Sequence, residues 1–427
     1  MRIPGTVYMV GIGGIGMSAL AQLLKHQGKN VSGSDREMSP ATALLAEKGI
    51  QVWIGHDQCH IPADAELLIY SDAVPAENAE RIRAHEMKIP QTSYFEALGA
   101  VAAPMRTIAV AGTHGKTTTT GMLAAILKAA DKEPTAIVGS IVSDFGSNFL
   151  AGKNELFVVE ACEYRNHLLE LSPEILVITN LELDHTDFFP SLTALQDTFR
   201  LAVERVPKNG IIVANPSEPT VAAVLGGAKA PIIDYTTQTV PELQLLGEFN
   251  AMNARAAKAA ARAAFPHLQE EYTDRVLMNF KGSWRRFEYK GETPKGAVVY
   301  DDYAHHPTAV EKTIDAVREK FADKNIVVVF HPHLYSRTKS FLSEFGMALA
   351  KADTAIIAPI YAAREEPDPS VSNRILAEAV KKSGGVAEAL DSFDAIRERL
   401  QEEEENSLII TMGAGDIYKV AEQITEE

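Results

Sequence analysis

Two glycine-rich stretches of this chain are spaced to hold phosphate. One of them, "GTHGKTTTT" from Gly112, sets Lys116 and Thr117 directly after Gly115, between the apolar run "TIAVA" and the helix-like run "GMLAAIL". In a strand-to-helix turn of this kind, backbone N–H groups cradle phosphate oxygens, a lysine reaches the β and γ oxygens, and a hydroxyl such as that of Thr117 ligates Mg²⁺. Gly112, Thr113, His114, Gly115, Lys116, Thr117 and Thr118 are therefore the candidate ATP loop. Its first glycine departs from the general phosphate-loop spacing, which would place it at Val110. Two later apolar runs end in what such a loop needs: "VVEACEY" presents Glu160, and "VITNLELDHTD" presents Asp184, His185 and Asp187. Strand ends of a parallel sheet gather on the edge where the phosphate loop lies. Hard oxygen ligands suit Mg²⁺, and an imidazole can complete a second metal shell.

The other stretch lies near the start of the chain. Gly11-Ile12-Gly13-Gly14-Ile15-Gly16 spells the dinucleotide pattern G-x-G-x-x-G after the apolar run Val7 to Val10 and before a helix expected to open near Met17. Glycines there let backbone approach a pyrophosphate, and the helix offers its N-terminus to the charge. Asp35, about twenty residues on, stands where a ribose-binding acid belongs. The motif marks a nucleotide and leaves its identity open.

The elements that must position these residues come in three series. Residues 1–103 alternate strand-like and helix-like segments ("VYMVGI", "NVSGSD", "ELLIYSDAV", "KIPQTS"), and a break is expected at "GAVAAPM". A second series, 104–283, runs through "LFVVEACEY", "EILVITNLELDH" and "NGIIVAN"; a third, 284–427, restarts at "RRFEYKG" and carries "AVVYDDYAHHP", "NIVVVFHPHLYSR", "TAIIAPIYAARE" and "SLIITMGAGD". Strands alternating with amphipathic helices predict doubly wound α/β domains. With 427 residues and 46% hydrophobic content the chain has ample material for several ordinary cores. The net charge of −16 disfavours nucleic acid and anionic lipid as partners. No run approaches the roughly 18 apolar residues of a membrane span. The two cysteines, Cys59 and Cys162, fit neither a disulfide framework nor metal-ligand spacing. A cytoplasmic protein is expected, with no membrane and no nucleic-acid partner.

The ordered set "VGIGGIGMS", "SGSD", "GTHGKTTTT", "EACEY", "TNLELDH", "GEFNAMNARAA", "RRFE", "DDYAHHPT", "FHPHLYSRT", "IYAARE" and "MGAGDIY" resembles the Mur ligases, ATP-dependent amide-forming enzymes of peptidoglycan precursor synthesis, over nearly the whole chain. The resemblance implies three consecutive α/β domains: an N-terminal Rossmann-like UDP-binding domain, a central phosphate-loop ATPase domain and a C-terminal Rossmann-like domain that receives the amino acid. It implies ATP with Mg²⁺, activation of the carboxylate of UDP-N-acetylmuramate as an acyl phosphate, and attack by the amine of L-alanine. The chemistry is consistent, because a carboxylate is a poor electrophile until phosphorylation supplies a leaving group, and the moving phosphoryl group needs cationic clamps, for which Lys116 and Arg286 are suited.

By position, the resemblance gives Thr117 and Glu160 to a first Mg²⁺ and His185 to a second, with Lys116 on the γ-phosphate. Asn250 would contact adenine, with Asn253 nearby, and Asp301 or Asp302 the ATP ribose. Tyr303, His305, His306, His333 and Arg337 would line the junction of muramate, phosphate and amine, with His306 and Arg337 among the catalytic set alongside Lys116, Glu160, His185 and Arg286, and with Tyr303, His305, His333 and Arg337 contacting the amino acid. The diphosphate of UDP then becomes the natural occupant of Gly11, Gly13, Gly14, Ile15 and Gly16, with Ser34, Asp35 and Ser71 nearby. Residues 186–207 contain no lysine of the kind that several Mur ligases carbamylate, which fits the alanine-adding branch, whereas Leu334 stands where relatives often carry a basic residue. Other readings are a ligase that joins a recovered tripeptide to UDP-N-acetylmuramate and, from another class, an NAD-dependent dehydrogenase. The latter leaves "GTHGKT", Glu160 and His185 without work. A monomer or a homodimer is expected.

Overall fold

The computed structural model describes residues 2–363 and 365–425; Arg364 of the "IYAARE" stretch lies outside them. Three sheets follow one another along the chain. The first is wholly parallel, in the spatial order Gln51–Ile54, Asn30–Asp35, Thr6–Val10, Leu67–Tyr70, Gln91–Ser93. Its order reverses between Thr6–Val10 and Leu67–Tyr70, so the glycine turn after Val10 and Ser71 after Tyr70 share one crevice, the usual ligand position in an open α/β sheet.

The second sheet has seven strands in the order Ile232–Asp234, Ile211–Ala214, Ile175–Ile178, Arg106–Ala111, Leu156–Glu160, Thr135–Val142, Ser147–Leu150. Arg106–Ala111, which feeds the phosphate loop, lies between Ile175–Ile178 and Leu156–Glu160, so Thr179 and Glu160 emerge on its two sides. The third sheet runs Glu288–Glu292, Val298–Asp302, Ser407–Met412, Asn325–Phe330, Thr354–Ile357, Ala387–Ala389, and only its first pair is antiparallel. Its central strands are apolar on both faces, as helices covering both sides require.

The chain forms two compact units. One runs to Glu182 and continues as Thr193–Glu242 and Met252–Lys281, holding the first two sheets; the other comprises Leu183–Leu192, Leu243–Ala251 and the chain from Gly282, holding the third. The stretch "GAVAAPM", where a break is expected, forms the end of helix Tyr94–Ala102 and the turn that follows. Its small residues serve close packing: a Cβ on Gly99 would lie 2.5 Å from the carbonyl oxygen of Glu170. The first helix begins at Ile15 rather than near Met17.

Helix Lys116–Ala129 is buried from Thr117 to Leu127 despite a run of threonines, which are weak helix formers. Burial and hydroxyl bonding offset that weakness, as in the 2.8 Å bond from Thr120 Oγ1 to the Lys116 carbonyl. Gly121 lets the helix approach Phe280 and Val142, 3.2 and 3.3 Å from where a Cβ would stand.

In the second unit, His331 is 4% exposed, with Tyr361 and Phe393 edge-on to its ring. Burial pushes its pKa from 6.5 down to about 4. The unfolded chain therefore binds the extra proton first, and this contribution to stability, full above pH 6.5, is lost as pH falls towards 4. Asp302 acts with the opposite sign: burial raises its pKa from 3.8 to about 6, so its contribution is full below pH 3.8 and lost as pH rises through 6. Comparison with a variant isolates the histidine. His331→Asn should lose less stability than the wild type between pH 6.5 and 4, by up to ~3 kcal/mol, measured by urea unfolding across that range.

Candidate active site

The phosphate loop is tied down by the strand ends beside it. Thr113 N–H donates to the Asn180 carbonyl (3.0 Å), and the Thr113 hydroxyl both donates to the Glu182 carbonyl and accepts from the Glu182 N–H, each at 2.9 Å. Asn180 accepts the His114 N–H through Oδ1 and donates to the His114 carbonyl through Nδ2, both at 3.0 Å. The His114 ring lies 2.6 Å from the Glu182 carboxylate.

Gly112 and Gly115 adopt φ of +128° and +81°. A Cβ on Gly115 would also stand 2.1 Å from Asn253 Oδ1, on helix Glu248–Ala264. Gly115→Ala should therefore displace the loop and weaken ATP binding by at least ten-fold, read as the KM for ATP, while the melting temperature moves by a few degrees only.

Lys116 occupies the middle of the loop. Its Nζ donates to the carbonyls of Gly112 (2.5 Å) and Thr113 (3.2 Å) and lies 3.0 Å from Glu163 Oε1. Burial works against the ammonium, and the charge of Glu163, with Glu160 behind it, more than offsets this, so its pKa is raised and the lysine stays a cation. Glu163, the second acid of "EACEY" and three residues beyond the strand end at Glu160, is 1% exposed and did not figure in the sequence reading. Cys162, between them, is driven up to about 12 by burial and so remains a thiol.

Thr117 Oγ1 donates to Glu160 Oε1 at 3.2 Å, and Glu160 Oε2 accepts the Gly139 N–H at 2.8 Å. Gly139 makes room for the carboxylate, which lies 2.3 to 2.8 Å from where a Cβ would stand. A hydroxyl and a carboxylate oxygen held side by side fit the hard-ligand set that Mg²⁺ takes.

At the first sheet, Gly11 and Ile12 both donate to the Ser34 carbonyl, at 2.8 and 3.0 Å, which pins the turn to the neighbouring strand. Asp35 Oδ2 accepts the Gly13 N–H at 2.7 Å, so one carboxylate oxygen already shapes the turn. The Ser34 side chain is fully buried and donates to Glu80 Oε2 at 2.5 Å, where Tyr8 and the Asp57 N–H also bond the same carboxylate. Ser71 lies against Gly11, its Cβ 3.0 Å from where a Cβ on Gly11 would be. Gly14 is exposed, and Ile15 and Gly16 are partly so.

The second unit gathers Asp184, His185, Tyr303, His305, His306, His333 and Arg337. Arg337 is 3% exposed and donates through Nε (3.0 Å) and Nη2 (2.7 Å) to Asp184 Oδ1, while its Nη1 lies 3.0 Å from His333 Nδ1. Burial alone would raise the Asp184 pKa; Arg337 leads the charges that hold it well below the usual carboxylate range. His185 has φ +53° and donates its N–H to Asp184 Oδ1 at 2.7 Å.

His305 Nδ1 is 2.9 Å from the Tyr303 carbonyl, which can only accept, so Nδ1 carries the proton; burial and then Arg337 push its pKa well below normal. His306 caps helix Pro307–Lys320: its Nδ1 accepts the Thr308 N–H at 3.4 Å and its Nε2 faces the Leu183 carbonyl at 3.2 Å. His333 stacks on Tyr361, and Leu334, buried at φ +71°, donates its N–H to the Tyr361 carbonyl at 2.9 Å.

The paired arginines separate because Arg285 has φ +59°. Arg285 is buried, bonding Asp301 Oδ2 at 2.7 Å and the carbonyls of Gly413 and Gly415 at 2.6 Å; Arg286 lies over the Tyr303 ring at 5.1 Å. Asp301 is thus held by Arg285 and Thr411. Asp302 accepts the N–H groups of Phe287 (2.8 Å) and Ala304 (2.7 Å). Asn250 falls in the second unit, donating to the Leu246 carbonyl at 2.8 Å, while Asn253, three residues on along the same helix, falls in the first. Thr117 and Glu160 lie together in the first unit, and His185 belongs to the second.

A phosphate loop with a lysine, a hydroxyl and an opposed carboxylate, in a chain whose three α/β sheets follow one another in sequence, defines a multidomain phosphate-loop nucleotide enzyme. Family models match the sequence in three consecutive pieces: "Mur ligase family, catalytic domain" over residues 6–106, "Mur ligase middle domain" over 110–242 and "Mur ligase, glutamate ligase domain" over 285–415. The chain belongs to the Mur ligase family. It is 37% identical over 451 residues to the UDP-N-acetylmuramate–L-alanine ligase of Caldicellulosiruptor saccharolyticus, covering 98% of each chain. It is 37% identical over 445 residues to the enzyme of that name from Rubrobacter xylanophilus, covering 98% of this chain and 99% of the relative. Among solved structures, the UDP-N-acetylmuramate-alanine ligase of Thermotoga maritima superposes with a TM-score of 0.82 at 27% identity, covering 99% of this chain and 98% of that one. A murein peptide ligase from Psychrobacter arcticus shares the fold, with a TM-score of 0.75 at 24% identity over 99% and 98% of the two chains. Among the described residues, no helix is long and apolar enough to cross a membrane.

Proposed function

We propose that this protein joins L-alanine to UDP-N-acetylmuramate at the expense of ATP, giving UDP-N-acetylmuramoyl-L-alanine, ADP and phosphate. The observation that carries the reading is that Glu160 and Glu163 are held against Thr117 and Lys116 of the phosphate loop in a chain that matches ligases of that name along its whole length.

ATP binds along Gly112 to Thr118, with Lys116 on the γ-phosphate, Asn250 on adenine and Asp302 on the ribose. Thr117 and Glu160 would hold Mg²⁺, and His185 a second ion; when bound, the metal neutralises phosphate charge as the phosphoryl group moves. Lys116 and Arg286 clamp the phosphoryl group on its way to the muramate carboxylate, and His306 sets the geometry at the reacting centre by capping its helix. The resulting acyl phosphate meets the amine of L-alanine, held by Tyr303, His305, His333 and Arg337, and phosphate departs as the amide forms. His305, with its proton on Nδ1, offers Nε2 as an acceptor to an incoming ammonium.

The UDP diphosphate sits on Gly11, Gly13, Gly14, Ile15 and Gly16, with Asp35 and Ser71 at the mouth and Ser34 bracing the turn from below. Domain boundaries at 1–103, 104–283 and 284–427 match this division of labour. The protein works in the cytoplasm as a monomer or homodimer. A panel of L-alanine, glycine, L-serine and the L-Ala-γ-D-Glu-meso-diaminopimelate tripeptide, each with ATP and UDP-N-acetylmuramate, tests the choice of amine. L-Alanine should give the highest kcat/KM, and preference for the tripeptide would contradict the reading.

A further inference from the structure

Gly16, the last glycine of the first motif, is the second residue of helix Ile15–His26, whose N-terminus faces the crevice. A Cβ there would stand 2.6 Å from the hydroxyl oxygen of Tyr94 and 2.7 Å from its Cζ. The position is therefore small because a phenol lies across it. Tyr94 is the first residue of helix Tyr94–Ala102, directly after strand Gln91–Ser93. That start is fixed by a capping box: Glu96 Oε2 accepts the Ser93 N–H at 2.8 Å, and Ser93 Oγ accepts the Glu96 N–H at 3.3 Å.

The ring is held from the side as well. Phe95 meets it edge-on at 4.6 Å and stacks on His167 at 3.5 Å, and the His167 Nε2 is 2.8 Å from Asp72 Oδ2. Asp72 follows Ser71 at the strand end beside the glycine turn. The phenol hydroxyl is a neutral donor. That donor thus stands against the last glycine of the turn, within the same compact unit. Such a group can donate to an anion on the turn without adding a charge of its own.

We infer that the Tyr94 hydroxyl donates a hydrogen bond to the diphosphate of the UDP-sugar on the Gly11–Gly16 turn, making Tyr94 a positioning residue for that substrate. The inference rests on the reading of the turn as the UDP site. Tyr94→Phe keeps the ring and removes only the donor. A bond to a charged acceptor predicts at least a ten-fold rise in the KM for UDP-N-acetylmuramate and an equal weakening of UDP binding in calorimetry. The KM values for ATP and L-alanine, kcat and the melting temperature should stay within two-fold or two degrees of the wild type. Unchanged UDP affinity in Tyr94→Phe overturns the inference, as does a parallel rise in all three KM values with a lowered melting temperature. Wild-type protein that binds UDP yet releases no phosphate with the full substrate set overturns the ligase reading and leaves Tyr94 to the calorimetry; failure of the wild type to bind UDP overturns both.

Discussion

Lys116→Ala is expected to lower kcat/KM for ligation by about 10³-fold or more, the scale on which a preorganised cationic or donor group aimed at developing charge contributes. The lysine sits at the centre of the loop, bonded to the Gly112 and Thr113 carbonyls and to Glu163, so its charge is preorganised. Removing it also leaves the buried Glu163 carboxylate without its cation, at a cost of about 3–5 kcal/mol in stability. The two consequences separate in Lys116→Met/Glu163→Gln, which removes both charges. That variant should recover most of the lost melting temperature and none of the activity. Recovery of turnover in the double variant would show that Lys116 acts only as a structural partner of Glu163.

Arg337→Met should be the most damaging single change in the second unit. The guanidinium places two N–H groups on one oxygen of Asp184, whose pKa it helps hold well below the usual range, and both residues are nearly inaccessible. Losing one partner of such a pair costs about 3–5 kcal/mol, because the remaining carboxylate is either ionised in a poor environment or must take up a proton. The same change frees His333 from its 3.0 Å contact with Arg337 and should raise the KM for L-alanine. Asp184→Asn/Arg337→Met should regain at least half of the stability, read by urea unfolding, while the KM remains high. A double variant as unstable as Arg337→Met would show that the cost comes from lost packing around the arginine stem.

The sequence made the fold legible through its strand ends. Each apolar run that finishes in small or polar residues, such as "TIAVA" before Gly112 or "LFVVE" at Glu160, became a parallel strand delivering its last residue to the same edge. Thr117 and Glu160 were legible for the same reason: both follow directly from a strand or its turn. What the pattern could not carry was which polar side chain spends itself on structure. Ser34 and Asp35 look alike as residues at a strand end, yet alternation turns Ser34 inward to Glu80 while Asp35 reaches the Gly13 N–H. Arg285 and Arg286 are adjacent and identical, and only the left-handed φ at Arg285 sends one into the Asp301 pocket and the other over Tyr303. Glu163 escaped notice because an acid three residues after another acid carries no periodic signal. Tyr94 escaped because its relation to Gly16 is a contact across 78 residues of sequence.

The central claim is that ATP cleavage here is coupled to making an acyl phosphate that an amino acid then captures. Phosphate release from Mg²⁺-ATP, measured with each of UDP-N-acetylmuramate and L-alanine omitted in turn, tests it most directly. Steady release should require all components and fall to background without the UDP-sugar. Equal release in the absence of UDP-N-acetylmuramate would contradict the account.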